Sequence, residues 1–182
     1  MSPILIAVLG VVVLLLAIFL IVVAMRPNEF KVTRAASLAA PAATLFERVN
    51  DFHQWTSWSP WEDKDPAMKK IYDGPPAGVG THYHWVGNKN VGEGMMTITE
   101  SRPNELIRIK LEFLKPFKGT NDTVFTFKPE NAGTAVTWTM SGNYNFFTKM
   151  FGLFMNMDKM IGTDFEKGLA QLGAAAKSPA KV

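Results

Sequence analysis

The feature that most constrains this chain is an uninterrupted apolar run from Ile4 to Met25, which contains no charged or amide side chain. As a helix rising about 1.5 Å per residue, the run would extend roughly 33 Å, enough to cross a hydrocarbon core of about 30 Å. A secretory signal is the alternative, but such signals begin with basic residues, and Met1-Ser2-Pro3 has none. The segment 23–27 is also a poor cleavage site. We therefore predict an uncleaved membrane anchor over residues 1–27.

The orientation of this anchor is predicted by its flanks. Arg26, Lys31 and Arg34 all follow the apolar run. Because Lys and Arg close to a span are retained in the cytoplasm, we predict a single-pass membrane protein whose soluble domain lies on the cytoplasmic side. Export of the domain is the alternative, and the absence of cysteine fits a reduced cytoplasm and a cysteine-poor periplasm equally.

Residues 28–174 are sufficient for one domain with its own core and too few for two. Residues 175–182 lack large apolar side chains and are expected to form a flexible tail. The net charge of +3 arises from cations interspersed with acids rather than from a basic cluster. Nucleic acid is therefore not an expected partner, and the soluble domain is expected to be a monomer.

Hydrophobic alternation and turn residues predict a strand-rich middle of the chain. A first strand near residues 30–34 precedes two short helices, within 40–49 and 51–58. Turn signals such as Asp73-Gly74-Pro75-Pro76 then separate six short antiparallel strands. These strands are predicted at 68–73, 79–86, 92–101, 104–114, 120–129 and 133–142. Apolar residues at helical spacing from about Asn145 to Gly173 predict a long helix that covers the sheet.

This element order, with several local strings, resembles the START-like, helix-grip superfamily, in particular its polyketide cyclase/dehydrase-like branch, the SRPBCC proteins. The strings include 40–46, Trp58-Ser59-Pro60-Trp61, Gly142-Asn143-Tyr144-Asn145 and 157–162. The resemblance covers nearly all of residues 29–173 and implies an α+β fold in which a curved antiparallel sheet of about seven strands wraps a long C-terminal helix. Members of this superfamily include lipid carriers, hormone receptors, cyclases, co-chaperones and oxygenase domains, so the fold alone does not assign a function.

The cavity that the resemblance implies would bind a hydrophobic small molecule or lipid at the membrane surface. Large apolar side chains suit such a pocket, because they recognise a ligand by shape and area. The predicted lining comprises Trp55, Trp58, Trp61, Tyr83, Trp85, Phe113, Phe125, Phe127, Trp138, Met140, Phe151, Phe154 and Met155. The first three tryptophans are three residues apart, so they either line the mouth of the cavity or plug the open end of the sheet as core. For each lining residue, a solidly filled core is the alternative.

Two further functions stay open. In an enzyme of the cyclase or hydro-lyase type, Glu93, Asp158 or Tyr83 would act as acid or base, although a structural contact is favoured for Asp158. In a protein-docking adaptor, exposed Phe and Met residues of the final helix would form the interface. The sequence contains no nucleophile elbow, zinc-protease motif or phosphate-binding loop, and no cofactor is predicted.

His82 and His84 are expected on one face of a strand, the face opposite Tyr83 and Trp85, and therefore in solvent. The remaining histidine, His53, belongs to a different predicted element. Because zinc sites require three or four ligands, we predict no metal site.

The first half of the final helix holds more apolar residues than one face can bury. If its phenylalanines cover the sheet, Met150, Leu153, Met157 and Met160 fall on a second face. We predict that this segment and the Trp55, Trp58 and Trp61 corner form a gate through which a ligand enters from the membrane. The alternative is that loops bury the second face as ordinary core.

Overall fold

The computed structural model describes residues 2–144, 146–153 and 156–177, except for the side chain of Phe147. A 3₁₀ helix over Phe52–Ser57 follows the second α-helix. The other elements are α1 (Pro3–Ala24), β1 (Glu29–Leu38), α2 (Ala42–Asn50), β2 (Lys69–Asp73), β3 (His82–Val86), β4 (Glu93–Arg102), β5 (Leu106–Lys115), β6 (Gly119–Glu130), β7 (Gly133–Asn143), α3 (Phe146–Phe151) and α4 (Met157–Ala175).

The seven strands form one antiparallel sheet in the order β1-β7-β6-β5-β4-β3-β2. Strands β2 to β7 pair consecutively as a meander, and β1 adds to β7 with Val32 opposite Met140. The α+β, helix-grip architecture predicted from the sequence is confirmed, as is the order of its elements.

One face of the sheet, here called the interior face, carries the buried apolar side chains. Ile109 of β5, Phe125 of β6 and Trp138 of β7 are all buried on it, and the charged residues of β5 lie on the outer face. The interior face packs against Phe52 of the 3₁₀ helix and Phe165 of α4, among others. Alternation of apolar and polar residues along the strands thus gives the sheet one solvent-exposed face and one buried face, as predicted.

Helix α4 approaches the sheet closely at Gly168. A Cβ atom at this position would lie 2.8 Å from the Trp138 ring, closer than carbon atoms pack. The missing side chain lets Phe165, one turn earlier, stack on Trp138 with ring centroids 4.1 Å apart and planes 7° from parallel. The small residue therefore sets the distance between helix and sheet.

The long C-terminal helix begins later than the sequence predicted. Helix α3 ends at Phe151, and α4 starts only at Met157. Glycine is a poor helix former, and Gly152 lies in the turn between the two helices. The side chain of Asn156 then accepts a hydrogen bond from the Lys159 amide at 2.9 Å, which caps a new helix.

Strand β3 also begins later than predicted, at His82 rather than at residue 79. Gly78 and Gly80 have φ angles of 82° and 88°, the left-handed region that other residues rarely adopt. These two glycines form a turn instead of extending the strand.

Helix α1 is long and apolar enough to cross a membrane, a property that signal sequences near an N-terminus share. Its last turn touches the domain: Val23 is fully buried, and α1 contacts α3. Just beyond α1, the Arg26 guanidinium donates a hydrogen bond to the Gly152 carbonyl at 3.2 Å. The end of the apolar helix therefore lies beside α3.

Candidate functional site

Trp138 lies at the centre of the interior face, within a cluster of aromatic rings. Its ring centroid is 4.6 Å from that of Phe125 and 5.8 Å from those of Trp58 and Trp61. Trp55 completes the cluster at 6.3 Å. The structure therefore brings together the tryptophan corner and the sheet residues that the sequence assigned to one site.

The tryptophan corner is core rather than an open mouth. Trp55 and Trp58 are almost completely buried, and Trp61 is partly buried. Their burial is possible because the indole N–H of Trp55 donates to the Val49 carbonyl at 3.0 Å, and that of Trp58 to the Arg48 carbonyl at 3.1 Å. The last turn of α2 thus satisfies both polar groups, and the gate predicted at this corner is not supported.

Two polar groups of the interior face have no such partner. The Trp138 indole N–H and the Thr123 hydroxyl are buried and make no hydrogen bond among the described residues. Thr123 lies opposite Met140, two residues from Trp138 on the same face of β7, so Thr123 and Trp138 are diagonal neighbours in the sheet. Thr123 was not among the predicted site residues, although its alternation with Phe125 and Phe127 indicates that it points inward.

A second aromatic group extends across β3, β4 and β5. Tyr83 and Trp85 have centroids 5.9 Å apart, and Trp85 meets Phe113 edge-on at 6.0 Å. Trp85 lies directly over Gly94, its partner in the register of β3 and β4. A Cβ atom at Gly94 would overlap the indole ring and lie 2.5 Å from the Glu112 carbonyl oxygen. Gly94 is therefore required for the position of Trp85.

Tyr83 is the catalytic candidate that the structure keeps inside the domain. Burial, with a contribution from the charge of Glu62, raises the pKa of the Tyr83 phenol above its ordinary value of 10.0. The neighbouring Tyr72, stacked on it at 5.2 Å, has its pKa raised to about 12, mainly by burial. Tyr83 therefore remains protonated at neutral pH, so its phenol can donate a hydrogen bond but is a weak proton donor and not a base.

Glu93 lies on the outer face of the sheet, not on the interior face where an acid or base acting on a bound ligand would have to lie. Gly94 and Met96 of β4 are buried, so the intervening alternation turns Glu93 outward beside His84, at 3.5 Å. Its carboxylate also meets the Lys115 ammonium at 2.6 Å, and this hydrogen bond lowers the pKa of Glu93. An ionised carboxylate on the outer face cannot reach a ligand on the interior face.

Asp158 makes a structural contact on the surface. Its carboxylate accepts a hydrogen bond from the Arg34 guanidinium at 3.0 Å, and this bond holds the pKa of Asp158 below its ordinary value. Arg34 also donates to Glu166 at 2.7 Å, so β1 is joined to two turns of α4. Asp158 is therefore assigned to the attachment of α4 rather than to acid or base chemistry.

The remaining predicted lining residues divide into three groups. Phe127 and Met140 are buried on the interior face. Phe151 is instead exposed on α3, with its ring centroid 6.3 Å from that of Phe117. Phe154 and Met155 lie outside the described residues. Within the described ranges, no three His, Asp or Glu side chains come together as metal ligands.

Several solved structures share this fold at low sequence identity. Protein CV1439 from Chromobacterium violaceum is 18% identical, with a TM-score of 0.58 over 84% of this chain and 99% of that one. An uncharacterised protein from Rhizobium leguminosarum is 15% identical, with a TM-score of 0.61 over 82% of this chain and 95% of that one. The di-domain ARO/CYC StfQ from the steffimycin biosynthetic pathway is 10% identical, with a TM-score of 0.60 over 85% of this chain and 53% of that one.

No functionally curated protein matches the sequence. Residues 29–177, which include all seven strands and both helices that follow them, match the family described as polyketide cyclase / dehydrase and lipid transport. The match agrees with the resemblance seen in the local strings and with the helix-grip architecture. The chain therefore belongs to the polyketide cyclase/dehydrase and lipid transport family.

Proposed function

We propose that the domain binds a hydrophobic small molecule or lipid on the interior face of its sheet, and that α1 holds the domain at a membrane surface. The observation that carries this proposal is the pair of unpaired polar groups, Trp138 N–H and Thr123 O–H, within an otherwise aromatic surface. A mainly apolar pocket with a few convergent polar groups is typical of small-molecule sites.

The energetic argument concerns those two groups. Leaving a buried donor without a partner costs about 1–3 kcal/mol, and native structures rarely accept that cost without a reason. A ligand that places an acceptor oxygen near Thr123 and Trp138 would satisfy both groups while its apolar part covers the neighbouring rings. The ligand class that fits is therefore an apolar molecule with one carbonyl, carboxyl or hydroxyl group.

The rings around Trp138 fill the centre of the interior face, so the ligand is expected beside them, near Met140. This residue lies close to the end of β7, from which the chain continues into α3. Entry at this end would involve α3 and the turn after it. Phe146, Phe151 and the nearby Phe117 are 47%, 44% and 49% exposed, and α3 contacts the end of α1. We therefore place the gate at α3 rather than at the tryptophan corner.

The methionines of α3 and of the first turn of α4 differ in exposure. Met150 and Met157 are half-buried, whereas Met160 is exposed. Changing Met150 and Met157 together to Gln is expected to leave the domain folded and to slow uptake of a fluorescent fatty acid. Loss of cooperative unfolding in this variant would show that both side chains are core, and that α3 is not a gate.

The interior site is tested by Thr123→Val, which removes only the unpaired hydroxyl. The variant is expected to be as stable as the parent or more stable, because an unsatisfied polar group is lost. Its affinity for the fluorescent fatty acid should fall about 2- to 10-fold, the value of one hydrogen bond. Thr126→Val, on the exposed face of the same strand, is the matched control and should bind normally.

Two results would contradict the proposal. One is equal affinity of the Thr123→Val and Thr126→Val variants for the probe. The other is absence of probe binding by the full chain in detergent, together with absence of a co-purifying small molecule by native mass spectrometry. Recovery of a partner protein alone would instead favour the adaptor function.

A second candidate function is catalysis of the cyclase or hydro-lyase type, favoured by one observation: Tyr83 places a phenol hydroxyl among the buried aromatic rings of the interior face. In this function Tyr83 would donate a hydrogen bond to a substrate oxygen and stabilise negative charge that develops on it. Recovery of a chemically changed ligand from the parent but not from Tyr83→Phe would support it. Recovery of the unchanged ligand from both would leave binding as the function.

A further inference from the structure

A groove of about 560 Å³ lies where the end of α1 meets the domain. Its walls come from the segment after α1, from the start of β1, from α3 and from the first turn of α4. Arg26, Lys31 and Lys149 contribute cationic side chains, and Tyr144 contributes an aromatic ring with a hydroxyl group. This surface, here called the junction groove, shares Met157 and the turn after α3 with the proposed gate, but neither Thr123 nor Trp138 of the interior face lines it.

The charge of the junction groove is positive. Two acidic residues, Glu29 and Asp158, also line it. Asp158 is already neutralised by its ion pair with Arg34, which is not among the lining residues. The three cations therefore face one carboxylate that is free of that pair, and the groove favours an anionic ligand.

Hydrogen bonds hold two of these three cations, Arg26 and Lys149, in place. Arg26 donates to the Gly152 carbonyl at 3.2 Å, and Lys149 bonds to the side chain of Asn28. The Asn28 carbonyl in turn accepts a hydrogen bond from the Tyr144 amide at 2.7 Å. The segment after α1 is thus bonded to α3 and to the end of β7, so the groove is a built feature rather than a chance meeting of long side chains.

The groove also lies at a defined depth relative to α1. Arg26 is two residues beyond Ala24, the last residue of α1. The polar head-group layer extends about 5–8 Å beyond the hydrocarbon core on each side of a bilayer. If α1 spans the membrane, Arg26 and the groove lie within that layer, where Tyr is a favoured residue and Arg and Lys meet lipid phosphates.

We propose that the junction groove binds the head group of an anionic glycerophospholipid from the leaflet in which α1 ends. Arg26, Lys31 and Lys149 bind its phosphate and the second anionic or polar group. Leu153 and Met157, also in the lining, face the glycerol and the first acyl carbons. This lipid is a structural ligand of the junction and is distinct from any molecule on the interior face.

The test uses the full chain in a neutral detergent, titrated with phosphatidylglycerol or phosphatidylcholine and followed by native mass spectrometry. We expect a defined one-to-one phosphatidylglycerol adduct and much weaker phosphatidylcholine binding. Arg26→Gln with Lys149→Gln should weaken phosphatidylglycerol binding roughly twenty-five-fold, since each basic side chain near an anionic lipid contributes about fivefold. Lys89→Gln with Lys128→Gln, an equal loss of charge outside the groove, is the control and should bind as the parent does.

Three results would overturn the assignment. They are equal binding of the two lipids, equal weakening in the groove variant and the control variant, and displacement of the lipid by millimolar inorganic phosphate, which would indicate a free-phosphate site. If the double variant does not fold, Lys31→Gln on the exposed edge replaces it, with an expected loss of about fivefold. Thr123→Val should keep the phosphatidylglycerol adduct, so failure of this proposal is distinguishable from failure of the interior site.

Discussion

The guanidinium of Arg34 occupies the space beside α4 that a side chain at Gly162 would fill. A Cβ atom at Gly162 would overlap the guanidinium. From this position Arg34 reaches Asp158 and Glu166, which lie one turn before and one turn after the glycine. The string 157–162 that marked the family resemblance therefore encodes an attachment of α4 to β1.

Gly162→Ala is expected to displace the Arg34 guanidinium and to lower the melting temperature by a few degrees. The side-chain end of Arg34 is flexible, so the main loss is that of its ion pairs rather than steric strain. A double-mutant cycle with Asp158→Asn, followed by thermal unfolding, checks this explanation: the two changes should be less than additive. Strict additivity would show that Gly162 acts independently of the ion pair.

The stability of the domain should fall at acid pH because Asp158 and Glu93 become protonated. Hydrogen bonds from Arg34 and Lys115 lower the pKa values of these carboxyl groups below their ordinary values of 3.8 and 4.5. A depressed folded-state pKa adds stability above the ordinary value, and this stability is lost as the pH falls through the folded-state pKa. Melting temperatures measured from pH 7 down to pH 3 should decline below about pH 4.5. The decline should be shallower in Arg34→Met.

The tyrosines should ionise at a higher pH than free tyrosine does. Burial is the main cause that raises the pKa of Tyr72 to about 12 and that raises the pKa values of Tyr83 and Tyr144. A raised folded-state pKa gives stability that is complete below the ordinary value of 10.0 and is lost as the pH rises beyond it. Alkaline titration followed by tyrosinate absorbance should therefore show no transition near pH 10, and later ionisation should accompany unfolding. A normal transition near pH 10 would contradict the burial of these rings.

Gly94→Ala should disrupt the second aromatic group. The new methyl group would meet the Trp85 ring and the backbone carbonyl of Glu112, and the carbonyl cannot move without disturbing β5. Overpacking of this kind typically costs about 1–3 kcal/mol. The melting temperature should fall, and the Trp fluorescence spectrum should change. Gly119→Ala, where a Cβ atom would meet nothing within 4 Å, is the control and should behave as the parent.

The predicted cytoplasmic orientation can be tested with reporters fused after Val182. A cytoplasmic reporter should be active and a periplasmic alkaline phosphatase inactive, and Arg26→Gln with Lys31→Gln should weaken this preference. Arg34 is left unchanged because its loss would release α4 from β1. Full alkaline phosphatase activity in the unmodified protein would place the domain outside the cytoplasm.

The strands and helices of the fold were predictable because they depend on the spacing of apolar residues along the sequence. Alternation of Ile107 and Ile109 with charged residues identified β5 and its buried face, and the unbroken apolar run identified α1. The interruption between α3 and α4 was not predictable in the same way. Apolar residues continue at helical spacing through Gly152, whereas the hydrogen bond that caps the new helix at Asn156 is a local contact seen in the structure.

The candidate site was less predictable, since it depends on contacts between elements. The outward position of Glu93 is shown by its contacts with His84 of β3 and Lys115 of β5, which the sequence of one strand does not reveal. The burial of Trp55 and Trp58 depends on carbonyl groups at the end of α2 that accept their N–H groups. Such tertiary partners decide whether an aromatic residue lines a cavity or fills a core.

The short connection between α1 and β1 limits how the domain can work. Only Met25–Asn28 separates the two elements, and this segment can extend over at most about 14 Å. Hydrogen bonds made by Arg26 and Asn28 restrict its motion further. With α1 in a bilayer, the domain cannot travel between distant membranes as a shuttle does. Any molecule it holds must arrive and leave by lateral diffusion in one membrane, or by handover to a protein that comes to that surface. The protein would then bind and release its ligand at one membrane and would not carry it between membranes.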